Sequence, residues 1–410
     1  MIHMKMNLSP RQKCILWGCF LVYTAAYLCR ANLSPALSDI ASGLSLSGTQ
    51  AGMIASCFGV AYASGQLING TLADRLRSSY MMIVGLTGSI IMNLVFSTAQ
   101  THVATMCLWF VNGCFQSMIW TPMLRTISDE FERQTRDSAF FLLSFTLVLG
   151  YLLAWLVAGF ITGLFGWRIS FQTTSLFACI LMLASIALFH KAGLSTSLSR
   201  RGGKQNAVHS QNVFFLVFRT DLWVFLLCGL VNGYIRDGIM TWGPRMLSEI
   251  QEVNLSGQVM TTLIVPFLSI IGIICGKKIY TTIGSRLHQT LMMLFATASI
   301  SLMILGIFFE GRLILTALML GVCAALCYGA NPLLTSITPM RYSDLGRTAT
   351  AGGIMDAMIY VGSALTSVFT GMIMDQAGWR PVILLWAVLD IAGLFLLGSA
   401  IRMQCRNKGK

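Results

Sequence analysis

The sequence predicts an all-α polytopic membrane protein, with twelve transmembrane helices in two pseudo-symmetric six-helix bundles. Three observations carry that prediction. Of 410 residues, 55% are hydrophobic and 10% charged, and the mean hydropathy is +0.72, outside the range of soluble globular domains. Twelve apolar runs are each long enough to cross a hydrocarbon core of ~30 Å, which takes ~20 helical residues. The chain also repeats itself at a spacing of about half its length.

The expected spans, in order, are 14–36, 49–72, 80–99, 103–124, 138–163, 169–189, 220–247, 257–279, 287–309, 313–339, 347–373 and 381–401. Backbone polar groups must be satisfied inside a bilayer, so these runs are helices and not open sheets. Trp109, Trp120, Trp155, Trp242 and Trp386 fall within or near span ends, as interfacial anchors or cavity walls. The repeat aligns Arg30 with Arg236, Pro122 with Pro332, and Gly166-Trp167-Arg168 with Gly378-Trp379-Arg380. The two copies therefore have the same orientation. A polar segment, Lys191–Gln211, separates them, which gives a bundle at 1–190, a cytoplasmic linker at 191–219 and a second bundle at 220–410. Parallel halves of this kind describe a transporter that opens alternately to each side of the membrane.

A net charge of +13 could suggest nucleic acid, but its distribution excludes that partner. If the N-terminus is cytoplasmic, 22 of the 28 lysines and arginines lie in the N-tail, the linker, the C-tail and the loops of one face. Arg168, Arg245, Arg312 and Arg380 lie toward the other face, and Arg30 and Arg236 are intramembrane. Lysine and arginine excess marks cytoplasmic loops, so both termini are expected in the cytoplasm. The partner is a lipid bilayer. Short loops and size suggest a bacterial inner membrane, with a monomer as the working unit.

Most of the 12 cysteines lie inside spans, where cysteine acts as a small apolar residue. The histidines are scattered, no metal-ligand spacing occurs, and no nucleophile–base pair appears. No cofactor, metal site or enzymatic activity is expected. The N-terminus lacks a small-residue cleavage site, so the first apolar run reads as a retained helix.

Function concentrates on Arg30 and Arg236. Arginine near a bilayer centre costs roughly 2.5–3.5 kcal/mol on insertion scales, so it normally faces a bundle interior or aqueous cavity with an anion. Guanidinium offers planar bidentate donors suited to phosphate or carboxylate. Tyr23, Tyr27, Arg30 and Ser34 share one helix face. Asn232 and Arg236 are spaced i, i+4, as are Gln116 and Trp120. Asn331 and Tyr360 complete the candidate substrate-binding set. The competing reading is an interhelical salt bridge serving packing. Asp237 adjoins Arg236 but leaves the helix about 100° away from it. Asp356 and Asp237 are candidates for carrying a proton or pairing the arginine's charge. Asp390 reads as a structural acid.

Two six-helix halves, a basic linker and the loop Gly70–Asp74-Arg75 resemble the major facilitator superfamily along the whole chain. Three segments resemble its organophosphate:phosphate antiporter family, which contains the glycerol-3-phosphate and hexose-phosphate transporters. They are Tyr23-Thr-Ala-Ala-Tyr27-Leu-Cys-Arg30-Ala-Asn32, Gly113-Cys-Phe-Gln116-Ser-Met-Ile-Trp120-Thr-Pro122, and Arg236-Asp-Gly238-Ile-Met-Thr-Trp242-Gly-Pro244. The resemblance implies secondary transport of a small anion in exchange for phosphate, with Gly70, Asp74 and Arg75 as a gating latch. Two departures stand out. The family's cavity lysine and histidine fall at Gln66 and about Leu147, and the tyrosine before the second arginine is Gly233. Proton-coupled uptake of an organic carboxylate is therefore an alternative, as is a membrane sensor that binds a phosphorylated solute without moving it.

Overall fold

The structure is a computed structural model describing residues 8–72, 76–194, 221–250, 255–309, 313–341 and 348–408. It is almost entirely helical. By its contacts it divides into two compact units, one of residues 1–44 and 60–207 and the other of 45–59 and 208–410.

In the first unit, α1 (Pro10–Ala31) opens on a capping box in which Ser9 and Gln12 satisfy each other's backbone N–H groups, with Pro10 at the first turn. It gives way to α2 (Leu33–Gly43) at Asn32, whose φ of −66° and ψ of −21° keep the two nearly in line. Then come α3 (Gly48–Leu72), which belongs to this unit only from Val60 on, α4 (Ser78–Phe96), α5 (His102–Glu130), α6 (Arg133–Phe165) and α7 (Trp167–Lys191). Helix α1 packs against α6 and α7, while α4 packs against α5 and α7. Phe96 stacks on Phe171 at 4.6 Å, and Trp109 closes on both rings.

In the second unit the helices are α8 (Leu222–Ile250), α9 (Leu255–Thr282), α10 (Leu287–Phe308) and α11 (Leu313–Pro332). A five-residue π turn, Leu333–Ile337, leads to the short α12 (Thr338–Met340), then α13 (Thr348–Ala377) and α14 (Trp379–Lys408). Helix α8 packs against α13, α14 and α11, and α10 packs against α11 and α14. The pairing of α1 with α6 and α7 thus recurs in that of α8 with α13 and α14. Gly166 (φ 81°) and Gly378 (φ 76°) occupy matching corners. A side chain rarely tolerates that backbone region, so the Gly-Trp-Arg repeat marks the same turn twice.

Eleven helical segments among the described residues are long and apolar enough to cross a membrane. The expected span 49–72 is helical over Gly48–Leu72, 25 residues, but does not reach that apolarity. Gln50, Ser56, Ser64, Gln66 and Asn69 dilute it, and its glycines suit packing rather than lipid contact. Its first part, Ser45–Gly59, belongs to the second unit. There the Asp375 carboxylate accepts from the N–H groups of Gly48 (2.8 Å) and Thr49 (2.7 Å), meeting the positive end of α3. A Cβ at Gly52 would collide with the Ser367 carbonyl, so glycine permits that approach. Trp109, Trp155, Trp242 and Trp386 are fully buried and therefore serve as core rather than interfacial anchors.

Candidate functional site

Arg30 sits one residue before the end of α1 and is half-buried. Its guanidinium carbon lies 4.2 Å from the centre of the Tyr27 ring and 5.6 Å from that of Tyr62 on α3, positions in which a cation is attracted to the π face. Tyr27 meets Tyr23 at 5.2 Å, and Tyr23 meets Trp120 of α5 at 4.9 Å. On the other side Tyr27 meets Tyr151 of α6 at 5.2 Å, and Tyr151 meets Trp155 at 6.0 Å. Arg30, Tyr23, Tyr27 and Trp120 are thus brought into one cluster. Tyr62 and Tyr151 join it unforeseen. Tyr151 lies one helical turn beyond Leu147, a signal that could have found it.

Gln116 has a different place. It is buried, and its amide nitrogen donates to the Ala26 carbonyl (3.0 Å) and the Ser89 hydroxyl (2.9 Å). Both amide hydrogens are thus bonded within the bundle. It belongs to a buried polar network linking α1, α4, α5 and α7.

Arg236 lies mid-helix in α8 and is 7% exposed. Its Nε donates to Asp237 Oδ1 at 2.7 Å and its Nη2 to Asp237 Oδ2 at 2.9 Å, a bidentate pair between sequence neighbours. The expectation that Asp237 points away is corrected. A 100° separation of Cβ directions does not part the heads, because the arginine stem is long enough to swing round. Nη1 donates to Asn331 Oδ1 at 2.6 Å, and the Tyr328 ring centre lies 5.6 Å from the guanidinium carbon. Asn331 is placed by chemistry local to α11. Pro332 lacks an N–H, helical pairing widens into the π turn that follows, and Asn331's carbonyl accepts from the Thr335 hydroxyl at 3.0 Å. Asp356 and Tyr360 on α13 lie within electrostatic reach of Arg236. Asn232 is buried one turn before Arg236, and its amide nitrogen has no hydrogen-bond partner among the described residues.

Among the other acids, Asp390 is 2% exposed and accepts from the Ser299 hydroxyl at 2.7 Å. Of the latch, Gly70 lies in α3, while Asp74 and Arg75 fall outside the described residues. No group of three or more metal-ligating side chains occurs among the described residues.

The sequence profile of the Major Facilitator Superfamily matches residues 19–343. The chain is 23% identical over 384 residues to a glycerol-3-phosphate transporter of Bacillus subtilis (strain 168), covering 88% of this chain and 86% of that one. It is also 23% identical over 389 residues to a phosphoglycerate transporter protein of Salmonella typhimurium (strain LT2), covering 89% and 83%. Among solved structures, it resembles a bacterial homolog of the human lysosomal transporter Spinster, with a TM-score of 0.77 and 15% identity over 97% and 98% of the two chains. At that identity the likeness concerns the fold alone.

Proposed function

From the premise that this chain belongs to the Major Facilitator Superfamily, we propose that it carries a small organic anion, a phosphate ester in the first instance, across the membrane in exchange for inorganic phosphate. That the chain is a multi-pass membrane transporter and not an enzyme follows from the family and its relatives. The anion, the counter-ion and the residues that hold them are the proposed part. The observation carrying it is that each unit contains one arginine deep in a span, each set among hydrogen-bonding and aromatic side chains: Tyr23, Tyr27 and Trp120 around Arg30, and Asn232, Asn331 and Tyr360 around Arg236. Arginine keeps its charge at any working pH and donates in a planar fork, as an oxyanion requires. The names of the relatives favour phosphate esters.

Proton-coupled transport of an organic carboxylate is the second reading, favoured by the two carboxylates Asp237 and Asp356 near Arg236. A thermal-shift screen of phosphorylated sugars and glycerol-3-phosphate against sugar acids, on the purified full chain, separates the two. Stabilisation by phosphate esters supports the first reading, and stabilisation by sugar acids alone overturns it. We further propose a bacterial inner membrane location with both termini cytoplasmic. A cysteine introduced at Thr101 then reacts with impermeant thiol reagent from outside, and one at Gly203 only from inside. Labelling of Gly203 from outside inverts the topology.

A further inference from the structure

In an ordinary helix the Ala26 and Cys29 carbonyls would be satisfied by the helix's own amides, and the first of these acceptors pairs with the N–H of Arg30 itself. Here both carry additional bonds from other helices. Asn93 of α4 and Asn112 of α5 each donate an amide N–H to the Cys29 carbonyl, at 2.8 and 3.0 Å. Gln116 donates to the Ala26 carbonyl. Immediately beyond Arg30, the Asn32 side chain donates to Asn93 Oδ1 at 2.9 Å and to the Thr174 hydroxyl of α7 at 3.0 Å. Ser89 joins the two amides by donating to Asn112 Oδ1 at 2.6 Å and accepting from Gln116. Asn32, Ser89, Asn93, Asn112 and Gln116 are all buried.

A cluster of five buried polar side chains in a membrane helix bundle is costly unless each bond is made. This one is aimed at a single place. Its bonds to α1 fall on the Ala26 and Cys29 carbonyls in the turn before Arg30, and its bonds just beyond Arg30 are made by the Asn32 side chain. We infer that Asn93 and Asn112 are positioning residues for Arg30: by holding the Cys29 carbonyl from two helices they fix the base of the arginine's side chain, so that its guanidinium keeps its station over Tyr27. Arg236 is positioned otherwise, through its own head group by Asp237 and Asn331. The inference rests on the reading of Arg30 as an anion-binding residue.

The test uses the full-length protein in nanodiscs with Asn112→Leu, which keeps the branched shape and removes the donor, and with Asn93→Leu as an independent variant should the first misfold. Arginine modification by phenylglyoxal, followed by peptide mass spectrometry, reads Arg30 directly, with Arg236 in the other unit as an internal reference. Modification of Arg30 should accelerate severalfold while that of Arg236 stays unchanged. Equal acceleration of both, or of neither, overturns the inference. Inorganic phosphate titrated by calorimetry gives the second arm. Asn112→Leu should weaken phosphate binding about tenfold when Arg30 is present and leave it unchanged in an Arg30→Lys background, since residues acting as a unit are non-additive. An equal loss in both backgrounds means a general structural role and overturns the inference. A wild-type protein that binds neither inorganic phosphate nor glycerol-3-phosphate refutes the proposed substrate class, whereas the labelling arm, which needs no ligand, still decides on Asn93 and Asn112.

Discussion

The two arginines occupy equivalent places in the repeat, yet their settings are opposed. Arg30 is half-buried, lies over an aromatic ring and is steadied through its backbone. Arg236 is 7% exposed and bound head-on by the carboxylate of its neighbour. A ring face attracts a cation without neutralising it, whereas a carboxylate cancels its charge at close range. In the second unit the Asp237 carboxylate offsets the charge of Arg236. Packing differs in parallel. On α6, a Cβ at Gly150 would collide with Tyr27, while on α8 a Cβ at Gly233, the position matching Tyr27, would collide with the Ile359 carbonyl of α13. The same helix pairing is achieved with the small residue on opposite partners. Sequence symmetry thus aligns the two arginines without giving the side chains around each.

The largest effect expected from breaking this comparison is common to both arginines. Arg30→Lys and Arg236→Lys should each lower transport on the order of 100-fold in a folded protein, because lysine keeps the charge but loses the bidentate fork. Uptake into proteoliposomes measures this, and near-normal transport by both would end the assignment. Asp237→Asn sharpens the contrast. With the offsetting carboxylate gone, phosphate should bind about tenfold more tightly by calorimetry and turnover should fall, as release becomes harder.

Much of the fold was legible in the sequence, because span length and hydropathy are imposed by the bilayer and the repeat was visible in Arg, Pro and Gly-Trp-Arg. Span 49–72 is present as α3, though less apolar than the other spans. What the sequence did not show is that the start of α3 is capped by Asp375, a partner more than 300 residues away in sequence. The grouping of the candidate site was legible where residues share one helix, as Tyr23, Tyr27 and Arg30 do. It was not legible for Gln116, whose bonds run to α1 and α4, or for Asp237, where helical angle was a poor guide to a long side chain. Tyr151 and Tyr62 arrive from helices that no local spacing connects to Arg30.

Two smaller effects follow from the second unit's packing. Gly233→Ala should cost about 1–3 kcal/mol of stability through overpacking against α13, while Gly243→Ala in the same helix, whose added Cβ meets no heavy atom closer than 4.0 Å, should leave the unfolding temperature unchanged or slightly higher. Equal losses would remove the close approach of α8 and α13 as the reason for glycine at 233. Asn232→Leu is expected to act most weakly. Its unpartnered amide nitrogen makes no bond to lose, so stability should hold while anion affinity falls about threefold. Unchanged affinity would take Asn232 out of the substrate set.

Exchange itself is tested most directly with the purified protein in proteoliposomes loaded with inorganic phosphate and offered labelled glycerol-3-phosphate outside. Internal phosphate should accelerate uptake, and an imposed proton gradient should not. If internal phosphate has no effect, an inward proton gradient drives entry, and Asp356→Asn abolishes that drive, the exchange account is contradicted and proton-coupled transport takes its place.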